Sequence, residues 1–248
     1  MSRVFVKADK LEDIQKFLES IPDKYDILDE GIDIQIQKEY IEQSHTFDRG
    51  ELTEKEILGL SNILFDKNAS VDKKKKALVL LAHLGTVEAF RQIEKYNNYS
   101  ENELKQWTLL SLQECKMFLE SSLLDESSGF ISTGLGGLDN RLRYYFVVTT
   151  VTDKPFTDSQ KNIIRDEYKL VCKELNCVME STGFFDTFIG LTVLVSFDVA
   201  VGDVIENGIK KCNDLGEFVF GHYFVTNVKV PGTEEILDII KDIKGKNK

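Results

Sequence analysis

The hydrophobic period changes part-way along this chain. Up to about residue 120, apolar residues recur every three to four positions. Beyond the run Gly134-Leu135-Gly136-Gly137 they alternate with polar ones. A helix face repeats at 3.6 residues and a strand face at 2, so the chain cannot be one continuous bundle or one continuous sheet. Its 248 residues are enough for two ordinary domains. The expected division is a helical domain over residues 1–130, a glycine-rich linker over 131–140, and a mixed domain over 141–248.

In the first half, Glu51–Lys67 spaces Leu52, Ile57, Leu60 and Leu64 as a helix would. Ser70 is a good N-cap for a helix over Val71–Leu84, and Gly85 suits its left-handed end. Thr86 caps the next helix, with Val87, Phe90 and Ile93 on one face. Ser100 with Glu103 fits a capping box opening a long helix through Trp107, Cys115 and Leu119. LEDIQKFLESI, near the N-terminus, predicts a short amphipathic helix. GIDIQIQKEYI has strand-like alternation, but no partner strand lies nearby, so a helix is expected there too. The stretch ALVLLAHLGTVEAFRQIEKY resembles one turn of a HEAT-type repeat, with small residues at the contact and a glycine between the helices. A plain helical bundle is the alternative.

The second half predicts, in order, a strand over LRYYFVVTT and a helix opened by the Thr157–Gln160 capping box. Strands over Asn176–Thr182 and Thr187–Phe197 follow, then a helix capped by Asp198. A long strand over Glu217–Val230 and a final helix from Thr233 complete the order. β-α-β-β-α-β resembles the ferredoxin-like superfold, which implies an antiparallel sheet with its helices on one face. The fold class expected is therefore α+β.

A superfold carries little functional information, but it directs attention to the sheet face without helices. On the first strand Arg143 and Tyr145 share a parity, and on the last Tyr223 and Lys229 do. Placing these four on the open face makes them interface candidates, with Phe146 and Phe224 under the helices. An apolar open face needs cover. Lysines 73–76 (Lys73, Lys74, Lys75 and Lys76) occupy a helix's first turn, where the dipole disfavours cations, and form a possible electrostatic patch.

Most chemistry finds no support. A dinucleotide loop needs a strand before its glycines and a helix after them, and here the order is reversed. Gly134, Gly136 and Gly137 are therefore expected to act as a hinge. The three histidines are scattered, and no C-x-x-C pair joins Cys115, Cys172, Cys177 and Cys212. Neither metal nor cofactor is expected, and reduced thiols suit the cytoplasm. Residues 1–130 carry 17 Lys+Arg against 25 Asp+Glu, and 131–248 carry 14 against 17. Neither half has the basic excess of a nucleic-acid binder, and IGLTVLVSF lacks the basic residue of an RNA-recognition strand. No segment is apolar enough for a membrane helix. The sequence thus predicts a cytoplasmic, non-enzymatic interaction or scaffold protein, partnered by another protein or a second copy, without nucleic acid or membrane. The alternative is a regulatory module binding a small molecule at an ACT-type interface.

Overall fold

A computed structural model describes residues 24–46, 54–124, 128–152 and 154–246. The helix expected over LEDIQKFLESI lies outside them. The fold is α+β, a helical part followed by an antiparallel sheet. Two compact units divide the chain. The first holds residues 35–131 with the described residues up to Asp26, and the second holds 27–34 with 132–248. None of the described helices is long and apolar enough to cross a membrane.

The first unit contains β1 (Lys24–Ile27) up to Asp26, α1 (Ile34–Ser44) from Gln35, α2 (Glu54–Phe65), α3 (Val71–Leu84), α4 (Val87–Asn97), α5 (Asn102–Leu124) and β2 (Ser128–Ile131). The predicted caps close α3 and α4. Ser70 Oγ accepts from Lys73 N, Thr86 Oγ1 from Ala89 N, and Gly85 ends α3 at φ 55°. The Ser100–Glu103 box does not form, because Ser100 Oγ turns back to donate to Asn97 O at 3.2 Å. α3 packs against α2, α4 and α5, so it is the apolar axis of the unit, with Leu78, Val79, Leu81 and Ala82 fully buried. Leu78, Val79 and Leu81 each contribute roughly 1.5–3 kcal/mol when withdrawn from water. Tyr40 of α1 meets Trp107 of α5 edge-on at 5.1 Å.

The second unit contains β3 (Gly137–Leu138), β4 (Arg141–Thr149), α6 (Asp158–Glu174), β5 (Val178–Phe184), β6 (Phe188–Ser196), α7 (Val201–Asp214), β7 (Phe224–Thr226) and α8 (Thr233–Lys246). The Thr157–Gln160 capping box forms as predicted. β4 is flanked by β6 along all nine of its residues, and its other edge is shared by β3 and β7. With β5 beyond β6, the strand order is β7-β4-β6-β5, the ferredoxin-like arrangement. Asp139 and Asn140, at φ 49° and 58°, make the two-residue turn between β3 and β4. Both residues tolerate left-handed backbone, which twists a hairpin in the favoured sense.

Three expectations need correction. Helices cover both faces of the sheet. Phe146, Val148, Leu191 and Val193 lie under Ile164, Tyr168, Val204 and Ile205 of α6 and α7. Tyr145, Val147 and Phe188 lie under Ile236 and Ile240 of α8. The apolar second face is thus roofed by the chain's own last helix. The long strand over Glu217–Val230 shrinks to three residues. Asn213 is the cause: its Nδ2 donates to Val219 O at 2.8 Å, and its Oδ1 accepts from Phe218 N and Val219 N. These bonds hold the backbone in a loop. Finally, α7 starts after Ala200 without a side-chain cap, so Asp198 does not open it.

Close helix packing in the second unit requires a glycine at 208, where a Cβ would overlap the Tyr168 ring. Gly59, in α2, has open space around it. Gly208→Ala is therefore expected to lower the unfolding free energy by about 1–3 kcal/mol. Gly59→Ala should raise it by up to about 1 kcal/mol. Denaturant titration of both variants checks the pair.

Candidate functional site

At one end of the sheet, three connections of the second unit are tied together by backbone hydrogen bonds. They lead from β4 to α6, from β5 to β6, and from α7 to β7. Val151 N donates to Phe218 O at 3.1 Å, and Phe220 N donates to Thr149 O at 2.8 Å. Phe156 N donates to Asp186 O at 3.0 Å, and Thr150 N donates to Thr187 O at 3.3 Å. A concentration of aromatic rings results. Phe185 stacks on Phe188 at 4.3 Å and 15°, Phe156 meets Phe218 edge-on at 6.4 Å, and Phe220 tilts against His222 at 5.3 Å. Phe156 and Phe188 are buried and anchor the group. Phe184 and Phe185 are 42% and 38% exposed, and His222 is exposed. Two lysines belong to the same connections or bond to them. Lys154 is exposed and forms no ion pair among the described residues, and Lys244 Nζ donates to Thr152 O at 3.4 Å. Asp186 and Glu217 are carboxylates on the same connections among the described residues, and the sequence places Asp153 next to Lys154. The backbone hydrogen bonds hold these rings together on one set of connections, where aromatic faces are available for stacking.

A second polar group lies inside the first unit. Glu114 of α5 is 8% exposed. It accepts from Tyr40 Oη at 2.7 Å and from Ser44 Oγ at 3.0 Å. Ser44 Oγ is also 2.8 Å from His83 Nε2. A hydroxyl has one proton, and here it goes to Glu114, so His83 Nε2 must carry a hydrogen and donate to Ser44. Burial by itself would raise the Glu114 carboxyl. The hydrogen bonds and charge of His83, with those of Tyr40 and Ser44, outweigh it and hold the group below its ordinary range. Burial, then the Glu114 charge, push the Tyr40 phenol well up. Ser, His and Glu together do not make a nucleophile here. The carboxylate approaches the same ring nitrogen as the serine, at 3.5 Å, rather than orienting it from the far side. The group is a buried junction of α1, α3 and α5. Its histidine was visible in the sequence as a lone residue in an apolar run, but its partners were not.

The residues singled out from sequence separate. Tyr145 and Tyr223 are on opposite faces, because Val147 pairs with Phe224 and thus puts Phe224 beside Tyr145. Tyr223 packs toward the α6–α7 face instead, and its hydroxyl donates to Glu206 at 3.0 Å. The parity argument failed because it lacked the register. Arg143 is engaged by both oxygens of Glu180, at 2.6 and 2.9 Å, and its Nη1 donates to Leu135 O at 2.8 Å. Lys229 lies past β7 and pairs with Glu235 at 3.1 Å. Of the four lysines, Lys74 is buried and pairs with Glu101, and Lys75 lies over the Trp107 ring at 4.4 Å and pairs with Glu39. Lys73 and Lys76 stay exposed. The glycines expected as a hinge belong to a close backbone packing within the second unit. A Cβ would collide with Val228 O at Gly134, with Asp29 O at Gly136 and with Arg141 O at Gly137. Gly137 N donates to Asp29 O at 3.2 Å, and Ile32 N to Thr133 O at 3.0 Å. Among the described residues no group of three or more His, Cys, Asp or Glu is placed to hold a metal ion.

No protein-family model matches the chain, and no curated protein does. Among solved structures it is similar to a REP-associated tyrosine transposase bound to a REP hairpin, at 7% identity and a TM-score of 0.32. That match covers 41% of this chain and 64% of the other, under two thirds of its length. It is also similar to a protein of Deinococcus radiodurans R1 described as a transposase, at 10% identity and a TM-score of 0.34, over 42% and 90% of the two chains. Both neighbours are described as transposases, and one of them is bound to a REP hairpin. The expectation of a non-enzymatic interaction or scaffold protein without nucleic acid is corrected accordingly. At such TM-scores the likeness carries no argument about what this chain itself does.

The buried Glu114 junction sets a pH dependence. A carboxyl held below its ordinary value stabilises the fold fully above that value, near 4.5, and the contribution is lost as pH falls through the lowered one. At neutral pH, Glu114→Gln should cost about 1–3 kcal/mol. The gap between variant and parent should narrow in acid, below about pH 4. Urea unfolding of both proteins across that range reads the difference.

Proposed function

We propose that the aromatic end of the second unit binds single-stranded nucleic acid. The supporting observation is the set of accessible rings, Phe185 stacked on buried Phe188 and Phe220 against exposed His222, on connections that also carry Lys154 and, through Thr152, Lys244. Bases of a single strand present π faces of any sequence, so aromatic platforms recognise them without reading edges. A double helix hides those faces, and rings on short loops do not enter a groove as a helix does.

The acidic balance of the chain limits the electrostatic share. With net charge −11, backbone contact is confined to local cations. Two lysines meeting two phosphates give a salt dependence of about −1.4 in log affinity against log salt, at about 0.7 for each phosphate of a single strand. The carboxylates Asp153, Asp186 and Glu217 of the same connections reduce the electrostatic share further, so stacking rather than phosphate contact supplies most of the affinity.

Fluorescence anisotropy with a labelled oligothymidine is expected to show binding at low salt with that shallow slope. Phe185→Ala should weaken it by about tenfold, as loss of one stacked base would. Lys154→Gln should reduce the slope by about half. No binding by the parent protein, or full binding by Phe185→Ala, would overturn the reading.

A further inference from the structure

A cleft of about 360 Å³ opens between the end of α6 and the start of β5, at the sheet end where β4 begins, away from the aromatic loops. Lys169 and Lys173 line it, with Cys172, Asn176 and Cys177. The lysines are four apart and share one helix face, an arrangement of like charges that is locally unfavourable. Neither forms an ion pair among the described residues, whereas nearby Lys211 takes Glu174 at 2.8 Å. A third cation approaches from β4. Arg141 Nε donates to Asn176 O at 3.3 Å and its Nη2 to Asn176 Oδ1 at 3.4 Å. Those bonds fix Asn176, which holds a left-handed φ of 54°, and leave its amide N–H groups as the free donors.

The helix end does not need these charges for itself. Leu175 N donates to Val171 O and Lys173 O, and Cys177 N donates to Cys172 O at 2.7 Å, so the carbonyls of Val171, Cys172 and Lys173 have partners. The thiols do not supply negative charge either, since burial pushes Cys172 up to about 12 and also raises Cys177. Asp198 is the one carboxylate that acts on Cys177, alongside Arg141. Two of the residues that line the cleft are lysines and none is a carboxylate, in a chain whose net charge is −11.

From this geometry we infer that the cleft binds a phosphomonoester. Lys169 and Lys173 take the dianion, Asn176 donates to it, and Arg141 holds Asn176 in place. A volume of about 360 Å³ accommodates an organic group beyond the phosphate, on the apolar floor that Cys172 and Cys177 provide. The inference is independent of the aromatic end.

Phenyl phosphate and inorganic phosphate, titrated calorimetrically into the full chain, test it. The parent protein is expected to bind phenyl phosphate more tightly than inorganic phosphate. Lys169→Gln with Lys173→Gln should weaken phenyl phosphate binding by at least about tenfold, as loss of two charge-assisted contacts requires. A control with the same charge change elsewhere, Lys161→Gln with Lys210→Gln, should leave it unchanged. No binding of phenyl phosphate at millimolar concentration, or an equal loss in the control, would overturn the proposal. So would displacement of phenyl phosphate by an oligonucleotide lacking terminal phosphates, because the cleft would then belong to the nucleic-acid backbone. Oligonucleotide binding at Phe185 should be untouched by the cleft variants, so either site can fail without the other.

Discussion

The second unit depends on the nine-residue antiparallel ladder between β4 and β6. Because side chains alternate along β4, one register decides both cores at once. Phe146 and Val148 go under α6 and α7, and Tyr145 and Val147 go under α8. A slip by one residue would exchange the two sets, which differ in size and in their covering helices. The ladder also carries β4 on to Thr149 and Thr150, where the three connections meet. The position of the exposed rings therefore follows from pairing made well inside the sheet.

The first unit rests on a different kind of constraint. Its apolar core is non-directional, but Glu114 can be buried only where Tyr40, Ser44 and His83 converge. A charge withdrawn from water is costly unless it is hydrogen-bonded, so the network fixes how α1, α3 and α5 meet. Lys75, drawn over Trp107, does similar work with a cation and its aliphatic stem.

What the sequence revealed depended on range. The caps at Ser70, Thr86 and Thr157 act within three residues, and they were legible because both partners lie in one short window. The order of strands and helices along the chain was legible from the alternation of periods, and their arrangement in the sheet is what the ferredoxin-like resemblance implied. The Tyr40–Glu114 bond spans 74 positions and left no local mark. The same holds for the pairing of Val147 with Phe224, which reversed the assignment of the tyrosines. Asn213 shows a third case: an ordinary helical residue in the sequence, it cuts a strand short because its amide meets three backbone groups of a later loop. The turn at Asp139-Asn140 could have been read, since those two residue types adopt positive φ most readily after glycine.

The central claim is that the connected loops at the end of β4 form a surface for a single strand. Two-dimensional NMR of the full chain, during titration with a short oligothymidine, addresses it most directly. The account predicts shift changes concentrated at Val151, Lys154, Phe184, Phe185, Phe220 and His222, with the Lys169–Asn176 cleft and the first unit unmoved. Changes centred on the first unit, or none at the aromatic loops while binding is observed, would contradict it.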